Sequence, residues 1–193
     1  VLAVSGLARR AGCAAMLKSV GFSFSMLCSN MVTYRTMQRR GERDALTGLY
    51  NRNRYEWDLP KIGSQCRKGL CCVYLDANGL HELNNSQGHE AGDSMLRSIA
   101  AEIAACFDTQ YAYRIGGDEF VIFCVDAEEE EIARNTRSMV DSLARMGCHV
   151  SVGSAWLPVP LDDIDLLVKT AEKQMYAEKR AYYQDPEHDR RVR

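Results

Sequence analysis

The run AYRIGGDEFVIF, residues 112 to 123, constrains the fold more than any other part of the chain. Two glycines stand between the runs YAYRI and FVIFCV, which are rich in the aromatic and β-branched residues that favour strands. The expected unit is a strand, a tight connection whose glycines supply positive φ, and a second strand. A hairpin of this kind leaves Asp118 and Glu119 at the joint, beside a buried strand. Solvated turn carboxylates would look the same in isolation, so the rest of the chain has to decide what these two are for.

From residue 44 the pattern is that of a mixed α/β domain. DALTGLYNRNRYEWDLPKI opens with a carboxylate and a turn-forming Thr-Gly, then continues with apolar and aromatic residues at helical spacing. LCCVYL, residues 70 to 75, is a short continuous apolar run expected to form a buried central strand, and Asp76 follows it. ANGLHELNNSQGHEAGD, residues 77 to 93, is expected as a loop. A helix follows in SMLRSIAAEIAACF, with Met95, Leu96, Ile99, Ile103 and Phe107 at helical spacing. Beyond the hairpin come a helix in AEEEEIARNTRSMVDSLARMG, a strand in CHVSVGSAW and a last helix in IDLLVKTAEKQMYAEKRAYY. Strands and helices alternating around one hairpin predict a sheet covered by helices.

Composition narrows the function. With 193 residues, 46% of them hydrophobic, the chain can build one compact domain plus an extension. Its eight cysteines include no CxxC pair, and several sit inside apolar runs, which suits packed reduced thiols and a cytosolic setting better than disulfides or zinc. Residues 1 to 43 hold seven Lys and Arg against Glu42, a net of +6 that leaves −8 for residues 44 to 193. That balance argues against a nucleic-acid-binding body. Residues 20 to 34 carry no charge. They read equally as a soluble docking helix or coiled-coil-like linker, and as the last part of a membrane span with Arg35, Arg39, Arg40 and Arg43 on the cytoplasmic side. The chain begins at Val1, and no cleavable signal peptide is expected. The expected organisation is a helical linker or membrane-segment end over 1–43, a cytoplasmic catalytic domain over 44–184 and a tail over 185–193. The catalytic domain would be tethered to the inner face of the cell membrane if the first segment spans.

If LCCVYL and the second hairpin strand are neighbours, Asp76 and Asp118 come to one edge of the sheet. Two acids from separate strands make a hard-cation site, and Mg²⁺ completes its shell with water and phosphate oxygens. With two ions about 3.5 to 4 Å apart, one activates an attacking hydroxyl and the other neutralises a leaving pyrophosphate. Each residue also has a plainer role available: Asp76 as a loop or cap residue, Asp93 near a helix N-terminus, Lys179 as a solvated helix lysine. His89 reads as structural, since no cysteine or second histidine lies at ligand spacing.

RIGGDEF, residues 114 to 120, resembles the signature of GGDEF domains, the diguanylate cyclases that condense two GTP into cyclic di-GMP. RDALTGLYNR (43 to 52), LDANGLHELNNSQGHEAGD (75 to 93), VSVGSAW (150 to 156) and AEKQMYAEKRAYY (171 to 183) stand in the family's order and approximate spacing. The resemblance implies a palm-like fold shared with adenylyl cyclases: a central, mostly antiparallel sheet flanked by helices, here with an N-terminal helical extension. Carried over by position, Asp76, the Ala77 carbonyl and Asp118 would bind Mg²⁺ or Mn²⁺, two ions per active site. Glu119 would bind metal or polarise the 3′-hydroxyl. Asn84 and Asp93 would recognise guanine, Gly116 and Gly117 would admit nucleotide close to the backbone, and Lys179 would neutralise phosphate.

The departures from the family pattern matter as much. Asn78 replaces the second carboxylate of the family's DxD, His81 stands where a lysine is expected near the triphosphate, and Tyr183 where an arginine is expected. Weaker phosphate binding is the implied result. The family's inhibitory RxxD has Phe107 and Gln110 at its ends here, so feedback through that site is not expected. The reaction joins two GTP, so a homodimer is expected. The alternative is a catalytically silent module that binds GTP or relays a signal to a partner.

Overall fold

The structure, a computed structural model, describes residues 18, 20–29, 31, 41–161 and 163–185. Two compact units divide at Gly41 and Glu42. In the first, residues 18, 20–29 and 31 are helical and expose Phe22, Phe24, Met26, Leu27 and Met31. Among the described residues, no helix is long and apolar enough to cross a membrane. Arg35, Arg39 and Arg40 of the basic cluster, and residues 186–193 of the expected tail, lie outside the described residues.

The second unit is built on a five-stranded sheet. Its strands are β1 (Tyr50–Asn51), β2 (Gly69–Ala77), β3 (Ala112–Arg114), β4 (Glu119–Val125) and β5 (Val150–Pro158), in spatial order β1-β3-β4-β2-β5. Only β1 and β3 pair parallel; the other three ladders are antiparallel. The helices are α1 (Arg52–Ile62), α2 (Leu80–Gln87), α3 (His89–Cys106), α4 (Glu129–Arg145) and α5 (Ile164–Gln184). This is the expected mostly antiparallel sheet flanked by helices.

Strand β2 is buried along its whole length, and its side chains alternate between two cores. Cys71, Val73, Leu75 and Ala77 join Phe120 and Ile122 of β4 against Met95, Leu96, Ile99 and Ile103 of α3 and Met139 and Leu143 of α4. Leu70, Cys72 and Tyr74 join Val121 and Phe123 against Leu167, Ala171 and Met175 of α5 and Ile62 of α1. The described cysteines are free thiols, and burial pushes those of Cys71 and Cys124 up to about 12.

Two details differ from the sequence reading. Residues 77–93 are not one loop: α2 and the first turn of α3 lie within them, punctuated by Gly79 and Gly88, both at positive φ. The apolar signal there is only Leu80 and Leu83, which pack at the margin of the first core. Strand β1 has only two residues, too short to show a period.

Gly153 of β5 lets the α5 backbone lie directly on the sheet, since a Cβ there would run into Ala171 O and Met175 N. Both obstacles are main chain, so neither can swing aside. Gly153→Ala should lower unfolding free energy by about 2–3 kcal/mol in urea titrations. At Gly117 a Cβ meets nothing within 4 Å, and Gly117→Ala should stay within about 0.5 kcal/mol of the parent.

Candidate functional site

The site forms where β2 and β4 end together. The ladder sets Asp76 directly opposite Glu119 and Leu75 opposite Phe120. One step further, Ala77 N–H donates to Asp118 O at 3.0 Å, so Asp118 begins where Ala77 finishes β2. The period of two sends Asp76 to the same face as Tyr74, the face covered by α5. Lys179 of α5 reaches back with its Nζ 2.6 Å from Asp76 Oδ1.

Asp76 is 3% exposed. Burial pushes its carboxyl up to about 6; Lys179 opposes that shift, and the nearby Asp118 and Glu119 carboxylates add to it. Tyr74, two residues earlier on the same face, carries a phenol raised by burial and by the nearby Glu119 carboxylate. The sequence reading passed over Tyr74, although its spacing from Asp76 on a two-residue period was the available signal.

The glycine pair works differently from the expectation. The positive-φ glycines among the described residues are Gly48, Gly79, Gly88 and Gly147, not Gly116 or Gly117. The turn spans residues 115–118, with Ile115 N–H donating to Glu119 O at 3.0 Å. Gly116 instead leaves room for the Glu119 carboxylate, whose Oε2 would stand 2.6 Å from a Cβ at that position and would have to swing aside. The turn is tied down from a distance. Arg114 pairs with Asp44 at 3.0 Å and donates to Gly117 O at 2.7 Å. Burial alone would raise the Asp44 carboxyl, but bonds from the Thr47 hydroxyl and amide and from Arg114 outweigh it and hold the group below its ordinary value. Next to Arg114, the buried Tyr113 donates its hydroxyl to Asp58 at 2.8 Å, and Asp58 is paired with Arg54 of α1.

A second cluster lies on the α2–α3 hairpin. Asn84 Oδ1 is buried without a hydrogen-bond partner and rests where a Gly92 side chain would otherwise be. Asp93 follows Gly92 and stands half-exposed, 3.7 Å from Arg97. The hairpin therefore joins Asn84 to residues 92 and 93. Helix α2 links this cluster to the carboxylates, its N-cap Gly79 lying five residues before Asn84, a rise of about 7.5 Å. His81 is exposed on α2, with Nε2 3.1 Å from Asn85 Nδ2, and His89 is exposed at the start of α3. Asn78 is buried and exchanges hydrogen bonds with Ser151, which accounts for it structurally.

Among the described residues, no group of three His, Cys, Asp or Glu side chains is arranged to hold a metal ion. The oxygen donors available are the Asp76 and Asp118 carboxylates, the Ala77 carbonyl and the neighbouring Glu119. Mg²⁺ needs only one or two carboxylates when substrate phosphates complete its shell. Asp76, pushed up to about 6, has two further carboxylates, Asp118 and Glu119, acting on it and one ammonium, Lys179, paired with it, a negative excess that a divalent cation would neutralise. The donor set fits a hard cation.

The family model described as "Diguanylate cyclase, GGDEF domain" matches residues 42–184. The chain belongs to the GGDEF family. A cyclic di-GMP phosphodiesterase of Shewanella oneidensis, PdeB, is 33% identical over 153 residues, covering 74% of this chain and 18% of that protein. The diguanylate cyclase DgcS of the same organism is 29% identical over 162 residues, covering 78% of this chain and 53% of its own length. This GGDEF chain thus spans about half or less of these curated relatives. The crystal structure of the coiled coil and GGDEF domain of DgcB from Caulobacter crescentus, in complex with c-di-GMP, superposes with TM-score 0.76 at 21% identity over 88% of this chain and 95% of that one.

The raised Asp76 carboxyl makes the stability of the metal-free GGDEF protein depend on pH. Its favourable contribution to stability is full below the unfolded value of 3.8 and is lost as pH rises through about 6. Asp76→Asn cannot ionise. In EDTA it should match the parent near pH 4 and exceed it by about 1–2 kcal/mol at pH 7, read from denaturation midpoints at both pH values.

Proposed function

We propose that this GGDEF domain is a diguanylate cyclase that condenses two GTP into cyclic di-GMP and two pyrophosphates. The observation that supports it best is the buried Asp76 set beside Asp118 and opposite Glu119 at one end of β2 and β4. The site chemistry then assigns the parts. Asn84 and Asp93 hold guanine: the amide offers a donor and an acceptor, and the carboxylate accepts from the N1 and N2 hydrogens.

Asp76, Asp118 and the Ala77 carbonyl would hold Mg²⁺ or Mn²⁺, two ions per site. Once bound, these ions activate the 3′-hydroxyl and stabilise the departing pyrophosphate. Glu119 would polarise the 3′-hydroxyl, and Lys179, which pairs with Asp76 in the nucleotide-free protein, would neutralise the phosphates. Each new 3′-oxygen to α-phosphorus bond forms as the bond to pyrophosphate breaks. Each chain holds one GTP, so two chains meet face to face in a two-fold arrangement.

The second reading is a catalytically silent GGDEF module that binds GTP or relays a signal to a partner. It is favoured by the uncharged Tyr183 and the histidine at 81 in place of basic residues, and by a relative named for phosphodiesterase activity. Incubation of the purified protein with GTP and Mg²⁺, followed by nucleotide chromatography, separates the readings. Cyclic di-GMP is the expected product; GTP binding without product supports the silent module. Asp118→Asn should lower turnover at least about a hundredfold while keeping the fold, and full activity in that variant would sink the assignment.

Base recognition and assembly are tested separately. Asp93→Ala should weaken GTP use far more than ATP use, and equal turnover of both nucleotides by the parent protein would contradict the role given to Asp93. For assembly, specific activity of a protein beginning near Arg43 should rise with its concentration. Constant activity from a protein shown by light scattering to be monomeric would refute the two-chain arrangement.

A further inference from the structure

Helix α5 grips the end of β2 and the loop that follows it at two points one helical turn apart. Lys179 lies on Asp76, and four residues later the Tyr183 phenol oxygen accepts a hydrogen bond from Gly79 N–H at 3.0 Å. Gly79 is the N-cap of α2, at φ 76, and has no side chain with which to cap its own helix. Its carbonyl accepts from Leu83 N–H, which closes the first turn. The amides that begin α2 are thereby left outside the helical ladder, in the arrangement that receives anionic oxygen. They stand three residues beyond the buried Asp76, whose cluster calls for a cation. A phenol oxygen is a neutral acceptor, and a phosphate oxygen is the stronger partner for the same N–H. Tyr183 is seated edge-on against Tyr182, ring centroids 5.1 Å apart at 88°, which holds its hydroxyl in place.

We propose that Tyr183 is a placeholder for substrate: it occupies the Gly79 amide in the nucleotide-free protein and must yield it to a phosphate group of the incoming nucleotide. Tyr183 is a positioning residue that sets nucleotide affinity rather than the chemical step. The proposal rests on the GTP reading above and deepens it, since the loss of an arginine becomes the gain of an internal competitor.

The test compares the parent with Tyr183→Phe, and with Tyr183→Leu as a second variant lacking the acceptor. GTP affinity is measured calorimetrically with Ca²⁺ in place of Mg²⁺, KM and kcat with Mg²⁺, and Gly79 amide exchange by NMR on ¹⁵N-glycine-labelled protein. Removing the phenol oxygen should tighten GTP binding and lower KM roughly three- to tenfold, as one neutral hydrogen bond is worth, with the change in KM rather than kcat. The Gly79 amide should exchange faster in the nucleotide-free variants and be protected again by saturating GTP. Weaker or unchanged GTP binding would overturn the proposal, as would an equally protected Gly79 amide in nucleotide-free Tyr183→Phe. GTP binding without cyclic di-GMP production would defeat the cyclase reading while leaving the affinity and exchange results to decide on Tyr183. Absence of GTP binding in parent and variants alike would overturn both.

Discussion

The antiparallel ladder between β2 and β4 governs the rest of the molecule. It runs from Leu70 opposite Val125 to Asp76 opposite Glu119, and both strands lie between two layers of helices. With a side-chain period of two, each residue of β2 is committed to one core or the other, and that commitment fixes which helix meets it. Asp76 falls on the α5 side, where Lys179 can reach it. Glu119 falls beside Tyr74 for the same reason. Backbone geometry thus assembles the charged cluster before any side-chain preference acts.

The cluster is unfavourable where it stands. A carboxylate removed from water and placed near two others is driven toward its protonated form, and one lysine offsets this only in part. The helices packed on both sides of β2 supply the apolar burial that tolerates such a residue. The network around it is built from ordinary interactions: Arg114 joins the signature turn to the Asp44 turn, and Asp58 joins Tyr113 to α1 through Arg54. These ties hold the turn that precedes β4 while leaving Gly117 open.

Much of this was legible in the sequence. LCCVYL and FVIFCV are apolar enough to show as central strands, and the two strands indeed neighbour one another with their acids at one end. The reading failed where the signal is sparse or lies in pairing. Helix α2 carries only two apolar anchors, so its polar residues read as loop. The glycines of the signature were expected to give positive φ; Gly116 instead makes room for the Glu119 carboxylate, a contact visible only once the turn is closed. Gly92 and Asn84 show the same logic, a missing side chain on one helix making space for an amide on another. Asp44 with Arg114, 70 residues apart, and Gly79 with Tyr183, 104 apart, join segments whose local patterns give no hint of one another.

Strand β2 also bears on how the chain avoids misfolding. A slip of one residue against β4 would exchange its two apolar sets, and because Leu and Cys occur on both, the cores alone would resist it weakly. Asp76 removes that tolerance. On the opposite face it would meet the apolar layer of α3 and α4, far from the lysine of α5, and a bare charge there is among the most heavily penalised of errors. The residue that serves the site therefore acts as a proofreading mark during folding, rejecting an alignment that hydrophobic packing by itself would let pass.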